Sequence, residues 1–225
     1  MSFHDEQVFE ESVTGDLIGL DGRGKARFKH RSKGSRAEME KFFKQLPGHI
    51  KRELRGSKLR LGDHMIYSIK PVGTSKTIKM FESQDQKEVG LRNVSNAKLP
   101  KNQALLVSGI YLLAGTTAAA VPGSPTPDEV KSTHFQTIEQ ANFAAIANGE
   151  FSLESNKVTI VPETSMRVFC TDNNGMWAQG FYKLHNPRVI HDNVDIECTL
   201  ELGTVTGIPQ DTHIYVGLFG TITTP

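Results

Sequence analysis

A chain of 225 residues, 37% hydrophobic and 23% charged, has the composition of a folded globular protein, which excludes wholesale disorder. Its length suits one large domain, or one domain carrying an arm. The formal net charge of +1 hides a division of labour: residues 23–60 hold fourteen Lys or Arg against three acids, a net +11, and the remainder carries −10.

Residues 1–11 are acidic and polar, without the basic start and apolar run of a secretory signal. The longest apolar stretch, residues 104–114, contains Ser108 and Gly109 and falls far short of the roughly 20 residues a membrane helix needs. Cys170 and Cys198 form neither a disulfide framework nor a zinc pattern, so synthesis in a reducing cytoplasm is expected.

In chain order, residues 1–22 read as an irregular lead-in punctuated by Gly15, Gly19 and Gly22. With them, residues 23–60 make an N-terminal arm, basic from 23 onward. Arg23, Lys25, Arg27, Lys29, Arg31 and Lys33 put a base at every second position. An extended backbone would hold these charges on one side, roughly 6–7 Å apart, comparable with phosphate spacing along a nucleic-acid strand. Next, Met39, Phe42, Phe43, Leu46 and Ile50 follow the spacing of one helical face, which predicts an amphipathic helix over about 36–55. Ser35 suits its N-cap with Glu38 three residues on, and Pro47-Gly48 should end or kink it, with a second turn running to Leu54 before Gly56. Arg36, Lys41, Lys44, Lys51, Arg52 and Arg55 extend the basic surface along this helix.

Residues 61–225 read as strands. Val194, Ile196, Cys198, Leu200 and Leu202 alternate with Asp195, Glu197, Thr199 and Glu201, a period of two with one apolar face. Phe151 and Leu153, then Val158 and Ile160 beyond Ser155-Asn156, predict a hairpin. Residues 105–113 are apolar on both faces, as in a strand buried between layers. Ile214, Val216, Leu218 and Ile222 alternate with Tyr215, Gly217, Phe219 and Thr221. Further strands are expected at 64–70, 76–82, 88–93, 165–171 and 179–184, with a turn at Asp172-Asn173-Asn174-Gly175. Residues 114–128 read as a long loop, and 137–148 as containing a short helix. About ten strands without βαβ alternation predict a mostly β, antiparallel sandwich or barrel, of which the jelly roll is one closed two-sheet solution.

No catalytic constellation emerges, and no cofactor or metal is expected. Gly22-Arg23-Gly24-Lys25-Ala26 lacks the upstream Gly, the Ser or Thr after Lys, and the preceding strand of a phosphate loop. His185, His191 and Asp192 match no metal-ligand spacing and read as ordinary loop residues. Cys198 falls on an apolar strand face, as a buried structural thiol does. Trp177 reads as a packing residue near a loop tip. The arm, by contrast, suits three occupants: a nucleic acid held electrostatically, an anionic membrane taking Met39, Phe42, Phe43 and Leu46, or a neighbouring subunit.

The chain from Lys87 onward resembles the jelly-roll capsid proteins of small tailless icosahedral bacteriophages, including membrane-containing ones. The likeness lies in Lys87-Glu-Val-Gly-Leu-Arg-Asn93 leading into Leu99-Pro-Lys-Asn-Gln-Ala-Leu-Leu-Val-Ser-Gly-Ile-Tyr111. It continues in Ala147-Asn-Gly-Glu-Phe-Ser-Leu153 with Pro162 after the next strand, in Tyr182-Lys-Leu-His-Asn-Pro187, and in Tyr215-Val-Gly-Leu-Phe-Gly220. The resemblance implies a non-enzymatic virion protein, made in the host cytoplasm, that assembles with itself and other capsid proteins into an icosahedral shell. On the shell reading the basic residues 23–60 of the arm would face the interior, where genomic nucleic acid, an internal membrane or neighbouring subunits lie, and 61–225 would be the jelly roll. Ten strands favour a single roll; two very compact rolls are the alternative. A competing expectation from another class is a sandwich-type binding module, such as a phage spike or lectin-like receptor-binding protein.

Overall fold

The computed structural model describes residues 15–20, 26–30, 39–139, 143–171 and 179–225. The chain divides into two compact units, Met1–Gln45 and Leu46–Pro225.

In the first unit, β1 (Gly15–Leu20) pairs antiparallel with β2 (Ala26–His30), with Asp16 opposite Lys29 and a register shift between Leu17 and Gly19. The lead-in expected to be irregular therefore contains a paired strand. Arg27 and Lys29 occupy alternate positions of β2. Residues 39–41 are helical, and a 3-10 turn follows at Phe43–Gln45.

The second unit opens with α1 (Gly48–Arg55). The helix expected over 36–55 is thus interrupted among its described residues: α-helix stops after residue 41 and resumes at Gly48, directly after Pro47. Pro47 has the extended ψ of 150° of an N-cap, and a proline tolerates that position because its missing N–H would find no helical partner there. The Gly56 N–H donates to the Arg52 carbonyl and closes α1.

The strands are β3 (Arg60–Pro71), β4 (Thr77–Lys79), β5 (Ala104–Thr116), β6 (Glu150–Ser155), β7 (Val158–Ser165), β8 (Phe181–His191), β9 (Ile196–Glu201) and β10 (Thr212–Thr224). They form two antiparallel four-stranded sheets, ordered β3-β10-β5-β8 and β4-β9-β6-β7. One core takes side chains from both: Ile66, Leu105, Ile110, Val216 and Leu218 from the first sheet meet Phe151, Leu153, Ile196, Cys198 and Leu200 from the second.

The period-two pattern reads correctly on β9. Ile196, Cys198 and Leu200 are buried, Glu197 and Glu201 exposed. The hairpin turns at Asn156-Lys157, both at positive φ as a two-residue turn matched to strand twist requires. Beyond it the register shifts twice, so Val161 enters the core opposite Leu153 and Val158 is left exposed. On β5 a shift between Val107 and Gly109 changes which parity faces inward, and β5 is buried along most of its length as the sequence predicts.

Three expected strand features differ. Residues 88–93 form turns held by isolated bridges from Arg92 to Ser68 and Glu88, because Gly90 at φ +90° folds the segment back on itself. Residues 166–169 form a 3-10 helix, started by the Ser165 hydroxyl accepting from the Arg167 N–H, which turns both Met166 and Phe169 into the core. β8 runs well past its expected end, through Pro187 to His191. It is an edge strand, and Pro187 falls in the 184–187 stretch that bulges out of register with β5, so its missing N–H breaks no ladder bond. The 114–128 loop is shortened at both ends: β5 continues to Thr116, and α2 (Pro127–Lys131) starts on a capping box in which Thr126 and Glu129 exchange hydrogen bonds. The short helix near 137–148 is α3 (Ala144–Ala147).

Candidate functional site

Of the bases proposed for polyanion contact, Arg23, Lys25, Arg31, Lys33 and Arg36 lie outside the described residues, as do the Asp172–Gly175 turn and Trp177. Arg27 and Lys29 lie on β2. Lys41 and Lys44 are exposed in the first unit, where Met39 is buried and Phe42 and Phe43 are half-buried. Lys51 is half-buried, and Arg52 and Arg55 are exposed on α1. The apolar stripe is therefore divided between units: Leu46 and Ile50 are buried in the second, at 2% and 0% exposure. A membrane could take these two side chains only if α1 left its seat.

That seat has a polar lock. His49 Nε2 lies 2.9 Å from Asp192 Oδ2 and 3.1 Å from Oδ1. Asp192, whose side chain is 3% exposed, also accepts from the Asn102 backbone N–H at 2.9 Å. One buried carboxylate thus ties α1, the turn before β5 and the turn after β8. Nothing in local sequence signals it, since His49 and Asp192 stand 143 residues apart. His191 adds its ring to the same turn, 3.1 Å from the Asp192 carbonyl, whereas His185 is exposed on β8. Among the described residues no group of three His, Cys, Asp or Glu is arranged to hold a metal ion. A shallow cleft of about 410 Å³ beside the lock is lined by His49, Arg52, Glu53 and Lys101.

A second buried carboxylate anchors the loop between β4 and β5. Asp85 Oδ1 accepts from Lys70 Nζ and from Arg92 Nη1, each at 2.7 Å, and Oδ2 accepts from the Glu82 N–H at 3.0 Å. Lys70 also reaches Glu82 at 2.6 Å. Two cations and two acids offset one another here, and the cluster positions the 82–96 loop.

The outer face of the β3-β10-β5-β8 sheet is aromatic. Strand register aligns Tyr67, Gly217, Tyr111 and Phe181 in one row across all four strands. The Tyr111 and Phe181 rings meet tilted, with centroids 4.7 Å apart, and Tyr67 and Tyr215 stack at 5.7 Å. Gly109 lies under the Phe181 ring, which a Cβ there would overlap. Burial and the neighbouring tyrosines push the Tyr215 hydroxyl up to about 12. Both cysteines are free. Burial raises the Cys198 thiol far above its ordinary range; for Cys170, burial and then Glu139 raise it. A raised value disfavours the thiolate, the reactive form of cysteine.

No helix among the described residues is long and apolar enough to cross a membrane. No known protein-family model matches the chain, and no curated protein sequence matches it either.

Proposed function

We propose that this chain is a shell-forming structural protein: a single jelly roll with a basic arm, assembling with copies of itself into an icosahedral virus capsid. The strand order is the observation that carries the reading. The eight body strands pair first with last, β3 with β10, then β4 with β9, β5 with β8 and β6 with β7. That nesting is what results when one long antiparallel hairpin is wrapped on itself into two sheets. The eight-stranded double-sheet roll is an architecture of viral capsids, lectins and cupins. Eight strands supply one such roll, and two compact rolls would need twice as many.

The arm supports the capsid use of this architecture over the others. A net +11 segment suits an interior lined by phosphate, and the net −10 of the remaining chain suits a mutually repulsive exterior. The half-exposed aromatic row is suited to contact between subunits. The same row favours the second reading, a spike-like or lectin-like binding module, because aromatic faces also dock ligands. Light scattering and negative-stain microscopy of the purified chain separate the two. Capsomers or shells support the capsid, a lone trimer supports the spike, and a monomer at high concentration overturns both.

A further inference from the structure

A second cleft, of about 490 Å³, opens between the start of β3, the 87–100 loop and the turn after β8. No carboxylate lines it among the described residues; His64, Lys87, Lys98, Ser95, Asn96 and Gln103 do. Its wall is preformed. Ser95 Oγ accepts from the Lys87 N–H at 2.9 Å, the Asn96 N–H donates to the Asp85 carbonyl at 2.7 Å, and the Ile196 N–H donates to the Ala97 carbonyl at 2.9 Å. Asn96 and Ala97 hold positive φ, so the loop keeps one shape, rooted on the Asp85 cluster at one end and on β9 at the other.

The electrostatics of this cleft favour an anion. His64 is held below its ordinary value, first by burial and then by the Lys87 charge beside it. An anion between them would relieve that repulsion. Lys98 pairs with Asp195 at 3.2 Å, but both side chains are about half exposed, so the pair is worth little and its ammonium can be recruited. The cleft shares Asn193 of the 191–193 turn with the cleft beside α1, where the bases Arg52 and Lys101 stand beside the acids Glu53 and Asp192, so the positive lining belongs to the 87–98 side alone.

We propose that this cleft binds a backbone phosphate of single-stranded nucleic acid. The inference rests on the reading of the basic arm as polyanion-facing. The site is concave, so a planar bilayer would reach it poorly, while one nucleotide enters it. Its amides can meet base edges, and it has no aromatic to stack a base, so binding is phosphate-centred and independent of sequence.

The test uses the full chain in two forms, with the native arm and with Arg23, Lys25, Arg27, Lys29, Arg31 and Lys33 changed to Ser. Each is combined with Lys87→Gln plus Lys98→Gln, and thermal midpoints verify folding. The probes are a short oligothymidylate and vesicles of mixed phosphatidylglycerol and phosphatidylcholine. Oligothymidylate should raise the titration midpoint of the His64 imidazole, read by NMR, in both arm forms. The double Gln variant should abolish that rise, weaken binding about three- to tenfold and lower the salt slope by roughly 1. An unmoved His64, or binding unaffected by the Gln pair while the arm still binds, overturns the cleft and leaves the arm reading standing. A His64 response to vesicles and not to oligothymidylate overturns the nucleic-acid assignment in favour of a lipid phosphate. Loss of oligothymidylate binding from both arm and cleft defeats the two together.

Discussion

Ile196 and Glu197 are adjacent in the chain and opposite in environment, the first fully buried and the second exposed on the same strand. Ile196→Asp puts an unpaired charge between the sheets and should cost more than about 3 kcal/mol, whereas Glu197→Lys should stay within about 0.5 kcal/mol. Chemical denaturation midpoints measure both, and equal shifts would refute the strand's facing. His213 offers a test by pH. It is 4% exposed, with its Nδ1 2.9 Å from the Asp211 carbonyl and 2.9 Å from Thr117 Oγ1. Burial lowers its folded-state value below 6.5, outweighing the Asp211 contacts that raise it. The unfolded chain therefore binds more protons in that window. The stability His213 contributes is complete above the ordinary histidine value and is lost as pH falls toward the lowered one. His64 acts with the same sign. Thermal midpoints should fall between about pH 7 and pH 5, and His213→Asn, which keeps a donor toward Asp211, should flatten the fall.

Among the elements, α1 depends most on contacts that its own sequence cannot supply. It is eight residues long, too short to be stable alone, and its N-cap makes no side-chain hydrogen bond. Buried Ile50 and the His49–Asp192 contact hold it to the body. Asp192→Ala leaves the Asn102 N–H without its acceptor and should cost about 1–2 kcal/mol. Hydrogen exchange should show the loss as faster opening of α1, with β5 and β10 still protected, since those strands are central in their sheet. If exchange accelerates uniformly across the β body, Asp192 is a core support and not a latch for the helix. β8 shows the same dependence differently. Its middle contains Asn186-Pro187, a turn signal in isolation, yet it remains a strand because both residues sit in a bulge of an edge strand, where the pairing with β5 asks nothing of the proline nitrogen.

For the whole molecule, the proposed roles of arm and body separate cleanly. Replacing Arg23, Lys25, Arg27, Lys29, Arg31 and Lys33 with Ser should leave the body's thermal midpoint within about 2 °C, since all six belong to the first unit. The same substitution should weaken polyanion binding and flatten its dependence on salt. Unchanged binding would remove the electrostatic role of the arm. The sequence by itself determined the mostly β class, the facing of β9 and β10, the turn before β7, the interruption of the helix before Gly48 and the basic character of the arm. Each of these follows from period, turn chemistry or charge within a few neighbouring residues. Only the tertiary structure decided the rest: the nested strand order, the register shifts that send Val161 inward, the folding of 88–93 into turns, and the seating of α1. These depend on partners far apart in the chain, such as His49 with Asp192 or Ala97 with Ile196. The proposed phosphate cleft is legible in no single segment, because its imidazole, His64, comes from β3 and its two lysines from the two ends of the 87–98 loop. That loop takes its shape from the buried Asp85 carboxylate, which draws Lys70 of β3 and Arg92 of the loop together.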